Sequence, residues 1–119
     1  MSDGYLTTHV LDTAKGCPAK DLEITLYRLT DGGRAELAKM RTNADGRTDS
    51  PILPKGQVKT GVYELVFQAG AYLNASGAAK EEPRFLDEVP IRFGISDDGL
   101  HYHVPLLISP FGMSTYRGS

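Results

Sequence analysis

GVYELVFQA, residues 61–69, decides the fold. Tyr63, Leu65 and Phe67 fall on one side of an extended chain, and Val62, Glu64 and Val66 on the other. Period two is the signature of a strand with one face turned to a core. The same rhythm recurs upstream in LEITLYRL, residues 22–29, where Leu22, Ile24 and Leu26 alternate with Glu23, Thr25 and Tyr27. Asp31-Gly32-Gly33 reads as a hairpin turn after it. RAELAKMRT, residues 34–42, sets Ala35, Leu37 and Lys39 against Glu36, Ala38 and Met40. Its alternation is weaker, and the flanking turns favour a returning strand over a helix.

Downstream, VPIRFGIS (89–96) puts Ile91, Phe93 and Ile95 on one face, and Asp98-Gly99 turns the chain into HYHVPLLIS (101–109). The Pro-rich SPILPKGQ (50–57) is expected to hold at most a short edge strand. KGCPA (15–19) and Asn43-Ala44-Asp45-Gly46 read as turns, and EEPRFLDEV (81–89) as a loop. AYLNASGAAK (71–80) is the one helical stretch, about two turns long and interrupted by Gly77. Seven to eight short strands with one short helix predict an all-β sandwich. Its edges invite pairing between copies of the chain.

The totals agree. The 119 residues fit a single domain, 1–119, with one modest core. Thirteen glycines and seven prolines supply many turns. A net charge of -2 gives no electrostatic footprint for nucleic acid or an anionic membrane. No apolar run approaches the roughly 20 residues of a membrane span, and MSDGYLTTHV does not read as a secretory signal. The lone Cys17 excludes an internal disulfide, consistent with a cytoplasmic protein.

The chemistry-bearing residues are few. In YLTTHVLD (5–12), His9 shares a face with Thr7 and Leu11, away from Leu6 and Val10. In HYHV, His101 and His103 share a face, away from Tyr102 and Val104. Each alone reads as a solvated surface histidine; two brought together would form a proton-transfer site near neutral pH. Histidines two apart on a strand are about 6.5–7 Å apart along the chain, so a required metal is not expected. Arg47 follows the Asp45-Gly46 turn, where its guanidinium can be aimed at a planar, polar or anionic ligand. In the terminal STYRGS, Ser114, Tyr116 and Gly118 share one extended face, and Thr115, Arg117 and Ser119 the other. The chain has no GxSxG elbow, phosphate loop or dinucleotide fingerprint.

LTTHVLDTAKGCPA (6–19), TNADGRTD (42–49) and HYHVPLLISPFGMSTYRGS (101–119) resemble, in order and spacing, the 5-hydroxyisourate hydrolases, the transthyretin-related enzymes of purine breakdown. The terminal YRGS distinguishes these from the hormone carriers of the same fold. Met113 stands where many relatives carry an aromatic. The resemblance implies a transthyretin-like sandwich and a homotetramer with sites in a channel between subunits. The implied reaction is hydrolysis of 5-hydroxyisourate to 2-oxo-4-hydroxy-4-carboxy-5-ureidoimidazoline, without a cofactor. It assigns catalysis to His9, Arg47 and His103, and substrate contacts to His9, Arg47, Ser114, Tyr116, Arg117, Gly118 and Ser119. On this basis His103 is expected to act as base with His9 as partner, though the roles can be exchanged; His101 is expected to be a surface residue. The competing expectation is a non-catalytic small-molecule carrier.

Overall fold

The computed structural model describes residues 3–118. Eight strands and one helix follow the order β1 (Tyr5–Asp12), β2 (Cys17–Pro18), β3 (Glu23–Thr30), β4 (Gly33–Arg41), β5 (Gly61–Gln68), α1 (Ala69–Ala75), β6 (Glu88–Ile95), β7 (His101–Ser109) and β8 (Gly112–Thr115). They form two four-stranded sheets, ordered β2-β1-β7-β8 and β4-β3-β5-β6. All pairings are antiparallel except β1 with β7, which joins the first and penultimate strands in parallel.

The core lies between the sheets and is the one the alternation demands. Leu6, Val10, Leu22, Ile24, Leu26, Tyr63, Leu65, Phe67, Leu106 and Ile108 are buried in one cluster. Their sequestration is the main favourable term holding the sheets face to face. On the opposite face of β5, Glu64 is also buried, and its carboxylate is held by Arg34 at 2.8 Å and Arg92 at 3.2 Å. A buried charge needs such partners.

Local departures from the sequence reading have plain causes. β4 carries a bulge: Ala38 pairs with Leu26 and Glu36 with Tyr27, which leaves Leu37 unpaired and exposed. That extra residue is why the alternation there is weak. KGCPA is only partly a turn, because Cys17 and Pro18 pair with Asp12 and Leu11. Proline is tolerated there on the sheet's edge. The helix begins at Ala69, two residues earlier than expected, and buries Tyr72 and Leu73. It ends where Gly77 takes φ +86°, with Ala78 N–H donating to the Leu73 carbonyl at 3.1 Å. This is a Schellman closure, which favours glycine at that position.

The 43–47 turn fixes part of the site. Asn43 Oδ1 accepts from the backbone N–H of Asp45 and Arg47, and Gly46 adopts φ +74°. Gly46 also packs on β1: its carbonyl accepts from Val10 N–H at 2.8 Å, and a Cβ on it would lie 2.4 Å from the Val10 carbonyl oxygen. Gly46→Ala is therefore expected to cost about 2 kcal/mol or more, from positive-φ strain and the clash together. A urea midpoint equal to that of the parent would show that the turn tolerates a side chain.

Candidate active site

The parallel pairing of β1 with β7 builds the site. It sets Tyr5 beside His101, Thr7 beside His103 and His9 beside Pro105. Leu6, Thr8 and Val10 face inward, so Thr7 and His9 project from the outer face of the sheet together with His103. His9 Nδ1 lies 2.7 Å from His103 Nε2, and the two rings stack with centroids 4.8 Å apart. The other ring nitrogen of His103, Nδ1, is 2.7 Å from Thr7 Oγ1. Both nitrogens of His103 are thus engaged, whereas His9 Nε2 makes no hydrogen bond among the described residues.

Two further segments close on this pair. Arg47 forms an isolated antiparallel bridge with His9, delivered by the turn at Gly46. Gly118 bridges His103, its N–H donating to the His103 carbonyl at 2.8 Å. A cleft of about 330 Å³ opens beside the pair, lined by Thr7, Arg47, Asp49, Ser50, His101 and His103 among others.

Burial first, then the Arg47 guanidinium, lowers the pKa of His9 below the ordinary 6.5. Burial, followed by His9, Arg47 and His101, lowers that of His103 to about 4. Both rings are therefore neutral at pH 7, and one N–H sits between the facing nitrogens. A tetrahedral zinc, with Zn–N of about 2.0–2.1 Å, would hold two nitrogens about 3.3 Å apart. The 2.7 Å contact is instead the span of a shared proton.

The lowered pKa values have a consequence for stability. Between about pH 4 and 6.5 the unfolded chain protonates His103 while the folded chain does not. The unfolded state then binds more protons, so stability falls as pH drops through that window. His9 acts in the same direction. Urea midpoints taken from pH 7.5 to 4.5 should fall less steeply for His103→Gln than for the parent. Parallel curves would mean that His103 titrates normally in the folded protein.

Of the residues singled out in the sequence, His9, Arg47, His103 and Gly118 are brought together. Ser114 lies opposite Leu107 in β8 and is exposed. Tyr116 is 57% exposed. The Arg117 guanidinium lies 4.2 Å above the Tyr102 ring, and Tyr116 and Arg117 line a separate cleft with Phe93. Within one chain these three do not line the cleft beside the histidines. Ser119 lies outside the described residues. His101 is exposed, as expected, yet its Nε2 lies 2.6 Å from Thr7 Oγ1. Sequence reading missed Thr7 altogether; the one available signal was that it shares the face of His9.

The chain matches the family model described as the HIUase/Transthyretin family over residues 6–118. It is 59% identical over 116 residues to a 5-hydroxyisourate hydrolase of Mesorhizobium japonicum, covering 98% of this chain and 93% of that protein. Among solved structures, an (S)-allantoin synthase superposes with a TM-score of 0.94 at 45% identity, covering 99% of this chain and 44% of that longer one. Sea bream transthyretin in complex with thyroxine superposes with a TM-score of 0.85 at 30% identity, covering 95% of this chain and 93% of that one. Sequence and architecture agree: the chain belongs to the HIUase/transthyretin family.

Proposed function

We propose that the protein hydrolyses 5-hydroxyisourate, opening its six-membered ring to give 2-oxo-4-hydroxy-4-carboxy-5-ureidoimidazoline. The observation that carries this reading is the 2.7 Å His9–His103 contact with Arg47 bridged alongside it. Relatives named as 5-hydroxyisourate hydrolases at 53–59% identity support it.

Water adds to a ring carbonyl, and the C–N bond then breaks. Water needs a base near neutrality. The hydrogen bonding favours His9 over His103 for that role, reversing the sequence expectation, because His9 Nε2 is the unengaged nitrogen. His103 orients it. As the carbonyl oxygen gains charge, Arg47 stabilises it, an effect worth roughly 2.7–4 kcal/mol for a well-placed donor. His9 then returns the proton to the departing ring nitrogen, and the acyl carbon stays in the product as its new carboxyl group. No cofactor enters these steps.

We further propose a homotetramer, in which the exposed Ser114, Tyr116 and Arg117, with Ser119, complete the substrate contacts from across a subunit boundary. In the cytosol, the exposed Cys17 would remain reduced. The 30% identity to a thyroxine-complexed transthyretin keeps a second reading in view, that of a small-molecule carrier. One assay separates the two. 5-Hydroxyisourate generated with urate oxidase is followed by its ultraviolet decay. Acceleration by this protein supports the hydrolase, and a decay rate identical to that without protein rejects it.

A further inference from the structure

Three hydrogen bonds join His9, His103, Thr7 and His101 in one line: His9 Nδ1 to His103 Nε2 at 2.7 Å, His103 Nδ1 to Thr7 Oγ1 at 2.7 Å, and Thr7 Oγ1 to His101 Nε2 at 2.6 Å. Each neutral imidazole carries one N–H and one bare nitrogen, and a hydroxyl both donates and accepts. Two of the arrangements this allows run in a single direction from end to end. In one, His9 Nδ1–H donates to His103, His103 Nδ1–H donates to Thr7, and the Thr7 O–H donates to His101. His9 Nε2 is then bare. In the other polarity every proton has moved one place, and His9 Nε2 carries a hydrogen.

We infer that Thr7 and His101 extend the histidine pair into a proton relay, which carries the positive charge created at His9 out to the exposed ring of His101. The inference rests on the hydrolase reading above. When His9 Nε2 takes a proton from the attacking water, a cation there would sit beside the Arg47 guanidinium. Instead, the Nδ1 proton of His9 passes to His103 Nε2, the Nδ1 proton of His103 passes to Thr7 Oγ, and the Thr7 hydroxyl proton passes to His101 Nε2. The net charge appears on His101 and no atom is gained or lost. When the ring nitrogen leaves, His9 Nε2 gives up its proton and the line resets.

The surroundings suit this division. Burial and Arg47 disfavour a cation at either inner ring. His101 is exposed and lies flat on Tyr5, with centroids 4.1 Å apart and planes 9° apart. An aromatic face attracts a cation. The Lys55 ammonium, 5.4 Å from the same Tyr5 ring, opposes a cation on His101, and the Asp49 carboxylate, which lines the cleft with His101, favours one. Thr7 and His101 are positioning residues here: they act on the reaction through His103.

The test compares Thr7→Val, which keeps shape and removes the hydroxyl, with Thr7→Ser, which restores it. Thr7→Val should lower kcat roughly tenfold with KM within about twofold, less than the 10²–10⁴-fold of a group that itself takes the proton from water. Thr7→Ser should remain near the parent. His101→Ala should lose a similar factor and regain it as imidazole buffer is added. A proton inventory in mixed light and heavy water should be curved for the parent and linear for Thr7→Val. Equal kcat for Thr7→Val and Thr7→Ser, or an inventory unchanged by Thr7→Val, overturns the relay and leaves the hydrolase reading intact. A parent protein that does not accelerate 5-hydroxyisourate decay removes both.

Discussion

His9→Gln should fold as the parent does and lose about 10²–10⁴-fold in kcat, the range contributed by a positioned proton-transfer group. Its side chain is half-buried on the outer face of β1, and the inward-facing Leu6, Thr8 and Val10 are untouched by the change. Thermal midpoint should therefore shift little while turnover collapses. His103→Gln should fall by a similar factor, since it leaves His9 without the partner that holds its Nδ1. The double variant should be scarcely worse than either single, because groups that act as one unit are not additive. The pH profile follows from the same geometry. Burial and Arg47 lower the pKa of His9, so the free base persists across neutral pH and kcat/KM is flat there. Activity falls on the acid side, below the ordinary imidazole range. Multiplicative losses in the double variant would show that the two rings work independently.

The fold was largely legible because strand periodicity is a local property. Tyr63, Leu65 and Phe67 can be assigned to a core without knowing what lies opposite. The bulge at Leu37 was not legible, since an unpaired residue is defined by its partner strand. The site divides the same way. His9 and His103 could each be placed on the outer face of a strand, but their meeting depends on β1 lying parallel to β7, 94 residues apart. Alternation gives a side chain's face and never its neighbour. That is why Thr7, an ordinary strand threonine by pattern, went unremarked although it touches two imidazoles. Arg47 was easier: Gly46 requires a positive φ, and the next residue's direction follows from the turn.

Gly118→Ala is the sharper test of the terminal segment, because it adds one methyl group at the edge of the site and leaves every charge in place. Gly118 does not need an unusual backbone conformation; it needs to be small. A Cβ there would lie 2.7 Å from His103 Cδ2, closer than atoms in contact can remain, and 3.4 Å from Cγ. One of two things must move. The His103 ring is pinned through both nitrogens, by Thr7 and by His9. The backbone of Gly118 is held by its N–H to the His103 carbonyl. If the ring yields, the His9–His103 contact lengthens, and a displacement near 1 Å can cost about 10²-fold in rate. The loss should fall on kcat, with the urea midpoint almost unchanged, because Gly118 is not part of the core. His103 should also titrate closer to the ordinary imidazole value once its ring is freed from His9, which NMR of the ring protons would detect. An enzyme with parental kcat would mean that the terminal segment swings aside at no cost. The glycine of YRGS would then owe its place to something other than the fit against His103.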